Sequence, residues 1–162
     1  MALMLSACSD VDLRQKRIDN PRRGDSVSAS VGTMRLLSVR VIAPGDAVHV
    51  KGDTVGLFLT LANGGVRSDV LTSVTADAAT SVVLRVGATH RKEGINLEVP
   101  PGGVSSLQYP GGPHFELVDL KHDIARGSFL PVTFHFRRAG EVEVNVFVQA
   151  FDRPVVAPVS KG

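Results

Sequence analysis

The sequence predicts an all-β protein, an antiparallel β-sandwich, and three observations lead there. Apolar and polar residues alternate with a period of two in several segments, as in Ile95-Asn96-Leu97-Glu98-Val99 and Glu141-Val142-Glu143-Val144. Half-buried strands carry that pattern. Glycine and proline, 16 and 9 among 162 residues, cluster between such segments in turn-forming groups such as Asn63-Gly64-Gly65 and Pro100-Pro101-Gly102-Gly103. No amphipathic stretch of three helical turns interrupts the series, which leaves sheet packed on sheet as the way to bury the apolar faces.

Taken in order, Met34 to Ile42 is the first firm strand, ended by Ala43-Pro44-Gly45-Asp46. Ala47 to Val50 pairs briefly before Lys51-Gly52-Asp53 turns the chain into the apolar strand Thr54 to Leu61. Asp69 to Thr75 is the next strand, and Ala76 to Thr80 turns the chain into Ser81 to Val86. Gly87 to Gly94 is polar and reads as an exposed loop, and Ile95 to Val99 is a half-buried strand. Val104 to Tyr109 leads to Pro110-Gly111-Gly112-Pro113, a turn that cannot continue a helix or strand. His114 to Val118 leaves that turn as a strand, and Leu130 to Phe136 with Glu141 to Val148 closes the series as a hairpin. Eight or nine strands result. Their core includes Leu57, Leu59, Leu61, Val144, Val146 and Val148.

This places the sandwich at residues 31–150, after residues 9–30 as a tether or loosely packed arm and before a flexible tail at 151–162. A first strand over Ser26 to Val31 is the alternative for the end of the arm. One domain suits the length. A net charge of +2, with no Lys/Arg stretch set among aromatics, gives no reason to expect nucleic acid. Neither a G-x-S-x-G elbow nor a GxxxxGK loop is present, and no small-molecule substrate is expected. The reading is not an enzyme.

The chemistry-bearing residues gather on the strand after the glycine turn. A period of two puts His114 and Glu116 on one face, over the same surface patch, and Phe115 and Leu117 on the other. With His90 from the neighbouring loop, His114 and Glu116 would make an imidazole–carboxylate site for Cu(II) or zinc. The alternative is an ion pair between Arg85 and Glu116 with His114 beside it. His49, His122 and His135 read as exposed residues.

Cys8 is the lone cysteine, so no disulfide within the chain and no CxxC site can form. Residues 1–8, Met1-Ala-Leu-Met-Leu-Ser-Ala-Cys8, resemble a residual lipoprotein signal and lipobox, with small residues before the cysteine and Leu5 three positions upstream. The resemblance implies lipid on Cys8 and an extracytoplasmic, membrane-anchored protein. The apolar run is short for a signal peptide and has no basic n-region, implying a natural start further upstream or a trimmed chain. No run of 18 apolar residues exists, so the lipid would be the anchor.

From Asp53 to Val148 the chain resembles the periplasmic copper chaperones of the PCuAC type. The resemblance rests on TLANGG at 60–65, PPGG at 100–103, PGGPH at 110–114 and the closing stretch VTFHFRRAGEVEV at 132–144. It implies a cupredoxin-like, immunoglobulin-like Greek-key sandwich, and a role in binding copper and passing it to respiratory copper centres. It also implies a ligand set of two His and several Met. His114 matches the final His, but Glu116 stands at the final Met and Arg85 near the first His. No Met lies in 88–96, since all three, Met1, Met4 and Met34, are upstream of the matched region. Cu(I) prefers thioether and imidazole donors, so copper is expected to be weakly held or lost. The other expectation is an envelope lipoprotein whose former metal site, with Arg85, Arg91, Lys92 and Glu116, binds a recipient protein or envelope component.

Overall fold

The computed structural model describes residues 17–19, 26–43, 48–87, 90–92, 94–108 and 111–150. Cys8, Pro110 and the tail at 151–162 lie outside these residues. Twelve strands are present: β1 (Arg17–Asp19), β2 (Val27–Val31), β3 (Met34–Ala43), β4 (Val55–Asn63), β5 (Asp69–Ala76) and β6 (Ala79–Val86), followed by β7 (His90–Lys92), β8 (Leu97–Val99), β9 (Val104–Leu107), β10 (His114–Leu120), β11 (Phe129–Phe136) and β12 (Gly140–Ala150). No helix occurs among the described residues.

The strands form one curled sheet in the order β7-β6-β10-β4-β3-β12-β11-β5-β8, with β2 beside β3, β1 beside β2 and β9 beside β4. Neighbours are antiparallel except β3 and β12, which run parallel with Arg40 opposite Phe147 and Val41 opposite Val148. The expected sandwich is therefore confirmed, with one parallel pair inside it. Alternation works as expected in β4 and β12. Leu57, Leu59, Leu61, Val144, Val146 and Val148 are all fully buried. Each such side chain contributes about 1.5–3 kcal/mol by leaving water.

Three expectations need revision. Val27–Val31 pairs with β3 and buries Val27 and Ala29, so the sandwich takes in residues that were assigned to the arm. The polar stretch expected to be a loop holds the edge strand β7, paired with β6 at Arg85–Arg91. His49 is buried rather than exposed, because its Nε2–H donates to the Ile42 carbonyl at 3.1 Å while its backbone bridges Ile124. His135 is half-buried, with Nδ1 3.4 Å from Glu141, and His122 is exposed as expected.

A bulge in β3 decides which face carries the site. Ser38 has φ of +54°, and the register to β4 shifts between Leu37 and Arg40. The extra residue resets the alternation. Leu36, Val39 and Val41 therefore point inward, and Arg40 goes to the outer face opposite Phe58.

Candidate functional site

The site lies on the outer face of β4, β10, β6 and β7, behind the core. Phe115 and Leu117 are fully buried on the inner face of β10, so His114 and Glu116 point outward. The register aligns His114 with Arg85 on β6, and Arg85 with Arg91 on β7. Three strands thus contribute to one row of side chains. Phe58 on β4 joins it by stacking on the His114 ring, with centroids 5.3 Å apart. Gly56, opposite Glu116, makes this fit, since a Cβ there would come within 2.7 Å of the Phe58 ring. Arg40 lies 6.0 Å over the same ring, within cation–π range.

Burial is the first surprise. His114 and Glu116 were expected at the surface, yet they are only 5% and 8% exposed. A buried carboxylate must be compensated, and here two guanidiniums compensate it. Arg85 Nε donates to Glu116 Oε1 at 2.6 Å, and Arg91 Nε donates to Oε2 at 2.9 Å. The two bonds differ in weight. The Arg85 side chain is 22% exposed, so its pair is poorly screened, whereas Arg91 is 47% exposed and its pair is weakened by water and salt. Two cations on one carboxylate leave the cluster with net positive charge.

His114 is held through one ring nitrogen. Its Nδ1–H donates to the Gly112 carbonyl at 2.8 Å, which leaves Nε2 as the acceptor of the neutral ring. That nitrogen is 3.9 Å from Glu116 Oε1, beyond hydrogen-bond distance. The arrangement is the usual one for an imidazole that offers a single nitrogen.

The structure thus brings together His114, Glu116 and Arg85. It does not add His90, which precedes Arg91 on β7 and belongs to that strand's other face. Among the described residues, no group of three or more His, Cys, Asp or Glu side chains is placed to hold a metal ion. Met34, the one methionine among them, is fully buried in the core. One imidazole nitrogen and a carboxylate already bound to two cations do not fit Cu(I), which favours sulfur donors. Sequence reasoning did not find Phe58 as the platform for His114, or Arg91 as the second cation on Glu116. The signal for Arg91 was its register to Arg85, hidden by taking β7 for a loop.

The fold is that of PCuAC domains. The chain is similar to a copper-bound PCuAC domain from PmoF2, with 28% identity and a TM-score of 0.63 over 76% of this chain and 98% of that one. An apo PCuAC domain from PmoF1 gives 25% identity and a TM-score of 0.65, over 76% and 99% of the two chains. The solution structure of CuI-DR1885 from Deinococcus radiodurans, at 20% identity and a TM-score of 0.53 over 75% and 80%, shares the fold. The family model described as putative lipoprotein LpqE-like matches residues 26–148, and the chain belongs to that family. No curated protein matches it.

Proposed function

We propose that the chain is a non-catalytic, extracytoplasmic envelope protein of the copper chaperone class that has exchanged the high-affinity Cu(I) site for an ion-paired binding surface. The class is supported by the family and by the likeness to PCuAC domains, one of them copper-bound. Attachment through lipid on Cys8 is supported by the lipobox-like run and the family's description. No helix among the described residues is long and apolar enough to cross a membrane.

The observation that carries the reading is the Arg85–Glu116–Arg91 network. Arg85 is a permanent cation next to His114, and an arriving metal ion would meet its charge. In this reading the cluster meets a protein or envelope component through Arg91 and the basic edge of β7.

A second reading keeps metal at the same place, with His114 and Glu116 as ligands for Cu(II) or zinc and His90 joining them only if the β7 edge turns over. It is favoured by the Nε2 of His114, the nitrogen left without a proton in the neutral ring. Competitive titration of the protein with Cu(I), Cu(II) and Zn(II), beside His114→Ala and Arg85→Ala, separates the two. The expected outcome is no tight one-to-one Cu(I) binding, and no change on removing His114. Tight binding lost in His114→Ala would overturn the proposal and restore a metal carrier.

A further inference from the structure

We infer that the pole formed by two hairpin tips and the β4–β5 connection is the face this protein turns to the membrane, where it takes anionic phospholipid headgroups. The tips of the β2–β3 and β11–β12 hairpins meet there with the β4–β5 connection, which crosses between strands that are not neighbours. Gly64 N–H donates to the Thr33 carbonyl at 2.9 Å, and a Cβ on Gly32 would stand 3.3 Å from that of Ala139. Between the tips lies an open cavity of about 550 Å³ whose lining includes Arg67 and Arg138. A second cavity of about 360 Å³ shares Gly32 and Thr33 with it and adds Arg35.

The charge of this pole is one-sided. The carboxylate in the lining is Asp69, and it is 3% exposed. Its oxygens are taken by the backbone N–H groups of Val70, Arg138 and Ala139, at 2.7, 2.9 and 2.8 Å. The guanidiniums therefore face outward without a competing surface acid in the lining. Arginine suits phosphate because its planar fork donates two parallel hydrogen bonds. At the tip beside Arg67, Val66 is 91% exposed, an apolar side chain that a headgroup layer would accept.

Chain direction supplies the orientation. Arg17 pairs with Ser30 and Asp19 with Ser28, so the chain enters β1 at the level of the β2–β3 tip. Eight residues separate Cys8 from Arg17, a reach of about 30 Å at full extension. An anchor on Cys8 therefore starts on the side of this pole, which is the nearer of the two to the bilayer along the chain. The orientation rests on the lipid attachment proposed above, whereas the headgroup affinity does not.

The test separates these parts by using the full chain as Cys8→Ser, which cannot be lipidated, with phosphatidylcholine vesicles and with vesicles containing phosphatidylglycerol. Binding is expected with the anionic vesicles alone, and it should weaken as salt is raised. Arg67→Gln with Arg138→Gln should lower partitioning about 25-fold, about fivefold per arginine. Lys51→Gln with Lys121→Gln removes the same charge at the far pole, where Gly52 bonds Leu120 and Lys121 bonds Ala78. That variant should bind nearly as well as the parent. A fluorophore on Val66→Cys should shift to the blue on the anionic vesicles. Equal loss in both double variants would overturn the proposal, as would absent binding or an unshifted fluorophore. Saturable competition by millimolar glycerol phosphate would do so too, by showing a pocket for a soluble phosphate instead.

Discussion

Two carboxylates are buried among the described residues, and they are held in opposite ways. Asp69 accepts three backbone N–H groups that tie the start of β5 to the β11–β12 turn. Glu116 accepts two arginine side chains from strands beside its own. Backbone donors are fixed by the fold, so Asp69 can only brace a turn. Arginine side chains swing on several bonds, so Glu116 can exchange partners without unfolding anything. Burial is common to the two acids; what differs is whether their donors are backbone or side chain.

Substitutions can break that contrast. Asp69→Ala should have the largest effect, about 3–4 kcal/mol of lost stability in chemical denaturation, because buried N–H groups lose their acceptor. If it costs under about 1 kcal/mol, the brace is not one. Arg85→Ala comes next, at about 2–3 kcal/mol, since it leaves Glu116 buried beside the weaker cation. Replacing Arg85 and Glu116 together with Met should cost less than the single Arg85 change, because no buried charge remains stranded. A double variant as unstable as the sum of the singles would show that the pair matters for shape. Arg91→Ala should be the smallest, about 0.5 kcal/mol and further reduced in high salt. A larger, salt-independent loss would mean that Arg91 is as poorly screened as Arg85.

Much of the fold was legible because period-two patterning and glycine turns are local signals. The inward set of β4 and β12 and the outward direction of His114 and Glu116 follow from them directly. The bulge at Ser38 did not show, since Met34 to Ile42 is apolar enough to pass for one regular strand. Burial of His49 was missed for a different reason: the segment it bridges, at Ile124, is remote in sequence. At the site, the pairing of Arg85 with Glu116 could be weighed from residue types once the family resemblance aligned them. Arg91 and Phe58 needed the sheet order, which no local pattern encodes.

The parallel pairing of β3 with β12 has a consequence for how the chain reaches this state. One of the first strands lies against the last, so the sheet order cannot be completed until residues 147–150 have arrived beside 40–43. Contacts between distant parts of a chain form late, because loop closure is costly before they reward it. Folding on the millisecond-to-second scale typical of such topologies is expected. A chain cut short before residue 147 would therefore lack the strand that completes the sheet order and would stay incompletely folded.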